Sequence, residues 1–167
     1  MSIRVYIGVG SNLGEPTRNV TLALARLAKL PELTHVRPSP LFESPPWGDA
    51  RGGAFVNAVL EAYTTLGPRE LLGLLLRLER EAGREWERAA GANEPRTLDL
   101  DLLFFGAAVV DEADLTVPHP RAHLRRFVLE PLCDLHPDLV HPRVGRTVRD
   151  LLSDVTDPAV VTRLPRP

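Results

Sequence analysis

The sequence predicts an α+β fold in which an antiparallel sheet carries two helices on one face. Three observations lead there. Strand-like and helix-like segments follow one another as strand, helix, strand, strand, helix, strand. That order is the split βαβ, or ferredoxin-like, pattern, here followed by a C-terminal extension. Both helical segments open near a proline and stop at Pro31 or Gly83. Finally, 167 residues with 44% hydrophobic and 25% charged side chains suit one domain, 1–167, with a core that needs no staple.

The elements are read in chain order. Residues 3–9 form a β-branched run and a first strand. Gly8, Gly10, Ser11, Asn12 and Gly14 then read as a loop. Pro16 suits a first helical turn, and Val20, Leu24 and Leu27 recur at helical spacing. Residues 34–42 make a second strand, placed at an edge because of Pro38 and Pro40. A long loop over 44–53 follows. In the strand at 54–65, Phe55, Asn57, Val59 and Glu61 share one face, and Val56, Ala58 and Leu60 the other. The helix at 68–83 buries Leu71, Leu74, Leu75 and Leu78. Residues 84–95 lack a period and read as a loop. Residues 98–105 form the fourth strand, and a short hairpin is expected near Val109 and Val110. Helical turns are expected at 127–135 and 147–152, and a frayed tail at 163–167. One sheet face remains to be covered or used.

Composition narrows the function. A net charge of −2 and 5% aromatic residues argue against a sheet that stacks RNA bases. The sole cysteine, Cys133, excludes an intramolecular disulfide and a cysteine-based zinc site. No apolar run approaches a membrane span, and Met1-Ser2-Ile3-Arg4 lacks the features of a signal peptide. A cytoplasmic enzyme or binding domain is expected, with small-molecule partners, no nucleic acid, no membrane and a monomeric state. The basic residues are arginines except Lys29. Genome composition explains that as readily as the planar fork arginine offers to phosphate.

The most informative stretch is Arg96-Thr97-Leu98-Asp99-Leu100-Asp101-Leu102. On a strand, Asp99 and Asp101 share a face at about 7 Å spacing. Two carboxylates together either face solvent or hold divalent cations, since like charges oppose joint ionisation. Mg²⁺ suits hard oxygen ligands plus substrate phosphates. Arg96 sits where such a phosphate would be met, and Arg84 and Arg96 frame a loop suited to a lid. His119, held between Pro118 and Pro120, is either a surface turn residue or a donor to phosphate. Asn57 is either pinned structurally or reads the edge of a planar heterocycle, with Phe55 beside it on the same face. The glycines from Gly8 to Gly14 match neither common phosphate loop, and no Walker lysine is present.

Taken together, four stretches carry a family resemblance over essentially the whole chain. They are Tyr6-Ile7-Gly8-Val9-Gly10-Ser11-Asn12-Leu13-Gly14, Phe55-Val56-Asn57-Ala58, Pro95-Arg96-Thr97-Leu98-Asp99-Leu100-Asp101-Leu102, and Val117-Pro118-His119-Pro120-Arg121 with Arg125 and Phe127. The chain resembles the 6-hydroxymethyl-7,8-dihydropterin pyrophosphokinases of folate biosynthesis. The resemblance implies transfer of the terminal pyrophosphate of ATP to a pterin hydroxymethyl group, releasing AMP. It implies that Asp99 and Asp101 ligate two Mg²⁺ ions. Asn57 is then expected to bond the pterin edge, Phe55 and Phe127 to sandwich the ring, and Ser44, Pro45 and Trp47 to complete that pocket. Glu79, Arg84, Arg96, His119 and Arg125 are expected against the nucleotide and its phosphates, with Arg84 and Arg96 catalytic. The chain departs from the family where bacterial members commonly carry Trp-Gly before the Pro-Arg-Thr-Leu-Asp run, because Asn93-Glu94 stands there. The competing expectation is a non-catalytic ferredoxin-like ligand-binding module.

Overall fold

The computed structural model describes residues 1–46, 53–83 and 98–166. Within them the main sheet contains β1 (Ile3–Ser11), β2 (Thr34–Pro38), β3 (Phe42–Ser44), β4 (Phe55–Thr64), β5 (Asp99–Phe105) and β8 (Thr162–Arg163). Its order is β5-β1-β4-β3-β8, with β2 also paired to β4. A separate hairpin joins β6 (Val110–Glu112) to β7 (Leu115–Val117). The helices are α1 (Pro16–Leu27), α2 (Pro68–Glu81), α3 (Arg126–Leu135) and α4 (Val148–Asp154).

The main pairings are antiparallel, so side-chain alternation decides what each face carries. Val5, Ile7 and Val9 of β1, Val56, Ala58 and Leu60 of β4, and Leu100 and Leu102 of β5 meet the stripes of α1 and α2. Those stripes are Val20, Ala23 and Leu27, and Leu71, Leu74, Leu75 and Leu78. Each leucine fully buried there contributes roughly 1.5–3 kcal/mol. Helix α2 starts well because the Glu70 carboxylate accepts the Gly67 N–H at 2.7 Å, satisfying one donor of the open helix end.

Part of the opposite face is covered by the C-terminal extension. Tyr6, Val59, Leu103 and Phe104 pack against Val128, Leu129 and Leu132 of α3 and Val148 and Leu151 of α4. A bulge makes this possible. Tyr6 pairs with Phe104 and Ile7 with Leu102, so Leu103 is an extra residue on β5. Leu103 and Phe104 therefore both serve this second core, while Phe105 returns to the first.

Four sequence expectations change. The strand expected at 3–9 runs to Ser11, because Gly8 and Gly10 are paired on both sides, to Val59 and Asn57 of β4 and to Asp101 and Asp99 of β5. Central pairing outweighs the low strand preference of glycine. The strand expected at 34–42 is split. Ser39 breaks it by exchanging bonds with Val59 through its backbone N–H and its Oγ, and β3 starts after Pro40. β3 is not an edge, since β8 pairs beyond it. The hairpin lies at 110–117, not at Val109-Val110 alone. The tail expected to fray is anchored: Arg163 pairs with Phe42, and the Leu164 N–H reaches Leu41 O at 2.8 Å. Two residues of strand gave no visible period.

A buried histidine ties the extension together. His141 is 2% exposed, and its Nδ1 accepts the N–H groups of Arg143 and Val144, both at 3.2 Å. Burial and then the neighbouring His123 push its pKa down to about 4 from 6.5. The folded chain thus holds His141 neutral while the unfolded chain protonates it below pH 6.5. Its contribution is complete above that pH and is lost as pH falls toward 4. Urea unfolding at pH 7 and pH 5 should show a loss on the order of 1–2 kcal/mol from this group. His141→Asn, which keeps an acceptor but cannot titrate, should remove that increment; an unchanged pH dependence would contradict the assignment.

Candidate active site

The half of the second sheet face that α3 and α4 do not cover is a cleft among the described residues, and glycine makes its floor. Along β1 the residues aimed at this face next to Tyr6 are Gly8 and Gly10, which present no side chain. A Cβ on Gly10 would lie 2.6 Å from Asn57 Oδ1, so any side chain there would displace that amide. A Cβ on Gly8 would meet only Leu103 at ordinary distance, so its absence serves space and not packing. Flanking this bare strip are Phe55 and Asn57 on β4 and Asp99 and Asp101 on β5.

Ten of the thirteen residues singled out from the sequence line one cavity of about 700 Å³. They are Ser44, Pro45, Phe55, Asn57, Glu79, Asp99, Asp101, His119, Arg125 and Phe127. Trp47, Arg84 and Arg96 lie outside the described residues.

The cavity has two chemically distinct ends. At one, Asn57 is buried and its Nδ2 donates to Ser44 Oγ at 3.4 Å, a long bond that leaves the amide oxygen to other partners. Phe55 stands on the same face of β4, and Phe127 projects from the first turn of α3. The Arg125 guanidinium lies 5.4 Å from the centre of the Phe127 ring. Two rings near an amide suit a flat heterocycle.

Asp99 and Asp101 are half-buried, while Leu98, Leu100 and Leu102 between and beside them are buried. Shared orientation therefore holds as the alternation predicts. The strand segment between the carboxylates is fixed from outside the sheet. Glu79, 2% exposed on the last turn of α2, accepts the Leu100 N–H at 2.7 Å through Oε1. Since β5 is the terminal strand of the sheet among the described residues, that N–H has no strand neighbour there to accept it. Glu79 thus holds the register of the two aspartates relative to α2.

Across the cleft the cationic wall comes from the segment after β7. The His119 N–H donates to Leu103 O at 2.9 Å, which docks this segment on the bulge of β5. His119 Nδ1 accepts the Arg121 N–H at 3.2 Å, so in the neutral ring the proton sits on Nε2. Burial, then Arg125, push its pKa down to about 4, with Asp99 opposing. At neutral pH His119 is an uncharged donor. Burial also lowers the Arg125 pKa, opposed first by Asp101 and then by Asp99, and the group stays charged. Among the described residues no three of His, Cys, Asp and Glu gather as a closed metal cage. A cation held by two carboxylates alone would need oxygens from a ligand to complete its shell, as Mg²⁺ in phosphate-binding sites does.

Two parts of the cavity lie outside what the sequence pattern shows. Gly8 and Gly10 look like a loop, although glycine at i and i+2 in a β-branched run signals a close backbone approach. The other end wraps round the outer edge of β5, between Leu72 and Leu76 of α2 and Leu115 and Thr116 of β7. Leu76 is 42% exposed, and a lone exposed leucine carries no signal of a cavity in the sequence.

The family model described as 7,8-dihydro-6-hydroxymethylpterin-pyrophosphokinase matches residues 6–137. A Pseudomonas aeruginosa protein named 2-amino-4-hydroxy-6-hydroxymethyldihydropteridine pyrophosphokinase is 45% identical over 150 residues, 90% of each chain. One of the same name from Methylorubrum extorquens is 38% identical over 96% of this chain and 98% of its own. In the folic acid synthesis protein fol1 of Pneumocystis carinii, 36% identical, the matching part is 21% of a longer chain. Among solved structures, a Plasmodium falciparum HPPK-DHPS triple mutant superposes with a TM-score of 0.71 at 13% identity, over 92% of this chain and 41% of its own. That likeness concerns the fold. By the extent of the family match and the identity of these relatives, the chain belongs to the 7,8-dihydro-6-hydroxymethylpterin-pyrophosphokinase family.

Proposed function

We infer that this chain is an ATP-dependent pyrophosphokinase of folate biosynthesis. It transfers the terminal pyrophosphate of ATP to the hydroxymethyl group of 6-hydroxymethyl-7,8-dihydropterin and releases AMP. The observation that carries the reading is one cavity holding an amide-and-ring slot at one end and two parallel carboxylates facing an arginine wall beside it.

The chemistry assigns each residue a task. Asn57 bonds the polar edge of the pterin, Phe55 and Phe127 stack on its faces, and Ser44 and Pro45 close the slot. The apolar end between Leu72, Leu76 and Leu115 accepts the purine, which places the triphosphate along Asp99 and Asp101. Those carboxylates would hold two divalent cations, and hardness and charge favour Mg²⁺. When bound, the ions supply charge neutralisation for the triphosphate. Arg125 spreads positive charge toward the phosphates, and His119 donates from Nε2 without adding a charge of its own. Arg84 and Arg96 are assigned to the same task by family resemblance, and Trp47 to the pterin slot. The pterin hydroxyl attacks the β-phosphorus, that oxygen–phosphorus bond forms as the bond to the AMP oxygen breaks, and the hydroxyl proton is released. Orientation and charge neutralisation are the main sources of rate in such transfers.

AMP release from ATP plus the hydroxymethyl dihydropterin tests the activity directly. It should require both substrates and Mg²⁺ and vanish with excess chelator; Mg²⁺-independent turnover would remove the cation role. Asp99→Ala and Asp101→Ala should each lower kcat by roughly 10²–10³-fold, the usual loss when a preorganised electrostatic group is removed. Their melting temperatures should stay close to that of the parent, since both side chains are half-buried at the cleft. A near-normal kcat in either would defeat the assignment. Gly10→Ala should weaken pterin binding about as much as Asn57→Ala, roughly tenfold, by displacing the amide 2.6 Å from the new methyl. Calorimetry showing intact pterin affinity in both would count against the slot.

A further inference from the structure

Helix α3 begins at the cleft, yet its own sequence does not cap it. Arg125 is at the N-cap and makes no side-chain cap bond, and the first turn holds no acidic residue. Open N–H groups at a helix start need an acceptor. One comes from far along the chain. Asp157, 7% exposed in the segment after α4, accepts the Arg126 N–H through Oδ2 at 3.0 Å. Its Oδ1 accepts the Ala159 N–H at 2.9 Å, which fixes the carboxylate in its own turn. The Arg126 side chain returns to Asp157 O at 3.5 Å. The capped residue lies between Arg125 and Phe127, both of which line the cavity.

The same segment then crosses to the other wall. Thr162 pairs with Glu43 and Arg163 with Phe42, and the Arg163 guanidinium stands 5.6 Å from the Phe42 ring centre. Arg163 also donates to Asp134 of α3 at 2.6 Å. Phe42 is in turn the register partner of Asn57. Residues 157–164 therefore link the helix bearing Phe127 to the strand beside Asn57 and Ser44.

We propose that Asp157 is a positioning residue for the ring slot: by capping α3 from the C-terminal strap it fixes Phe127 and Arg125 against the cleft. The proposal rests on the reading of Phe127 as a pterin wall. Asp157 touches no substrate and acts through the first turn of α3. A carboxylate suits the place because both of its oxygens receive an N–H.

The test is a double-mutant cycle on the full chain, with binding of 6-hydroxymethyl-7,8-dihydropterin measured by calorimetry with Mg²⁺ and a non-hydrolysable ATP analogue. Thermal melting checks that every variant is folded at the assay temperature. Asp157→Ala should weaken pterin binding roughly tenfold. Asp157→Asn keeps an oxygen for the Arg126 N–H and should return affinity to within about threefold of the parent. In a Phe127→Ala background, Asp157→Ala should cost less than about twofold, because the ring it positions is gone. No change on Phe127→Ala would bring down the cleft reading beneath the proposal. A loss on Phe127→Ala with none on Asp157→Ala, or losses that simply add, would overturn the proposal alone.

Discussion

Two strands, one ending in glycines and the other beginning with aspartates, set the terms for the rest of this molecule. β1 withholds side chains from half of a sheet face at Gly8 and Gly10. β5, its neighbour, points two carboxylates across that bare strip at Asp99 and Asp101. Paired anions at strand spacing are unfavourable unless something positive faces them. The positive charge is supplied by Arg125 at the N-cap of α3, close enough that both aspartates act on it, and divalent cations complete the compensation in the proposed complex. Every other feature of the site can be read as holding those two strands and that helix in place. Glu79 pins the edge of β5, His119 docks on its bulge, and the strap carrying Asp157 secures α3.

The division of the sheet's second face follows from the same alternation. Where β1 offers Tyr6 and β5 offers Leu103 and Phe104, the face is apolar and the C-terminal helices cover it. Within this covered half a polar chain is also satisfied: the Tyr6 hydroxyl donates to Glu61 Oε2 at 2.8 Å and lies 2.6 Å from His136 Nδ1, and Arg37 bonds both Glu61 and Leu135 O. Because the ionised Glu61 only accepts, Tyr6 donates to it and His136 donates to Tyr6. The C-terminal end of α3 is thereby fastened to β1, β2 and β4, while Asp157 fastens its beginning. A helix held at both ends is a rigid support for a ring at its first turn.

Much of this was legible in the sequence, for identifiable reasons. The strand at 55–64 and the helix at 68–81 carry long, clean periods, and the Asp-x-Asp pattern fixes a shared face once a strand is granted. What failed to show depends on partners distant in the chain. Gly8 and Gly10 look like a loop until Val59, Asn57, Asp101 and Asp99 are seen pairing with them. Leu103 gives no sign that it is a bulge. Asp157 is an ordinary polar residue in a proline-containing segment until the Arg126 N–H, 31 residues away, is found on it. Thr162 and Arg163 form a strand too short to have a period. The family resemblance, not periodicity, separated pyrophosphate transfer from other metal-assisted phosphate chemistry.

A crystal structure with Mg²⁺, a non-hydrolysable ATP analogue and 6-hydroxymethyl-7,8-dihydropterin tests the central claim most directly. The account predicts carboxylate oxygens of both Asp99 and Asp101 within about 2.1 Å of cations that also touch the triphosphate. It also predicts the pterin edge on Asn57 with its hydroxymethyl group turned toward the β-phosphorus. Triphosphate bound away from β5, or cations whose ligands include neither aspartate, would contradict it.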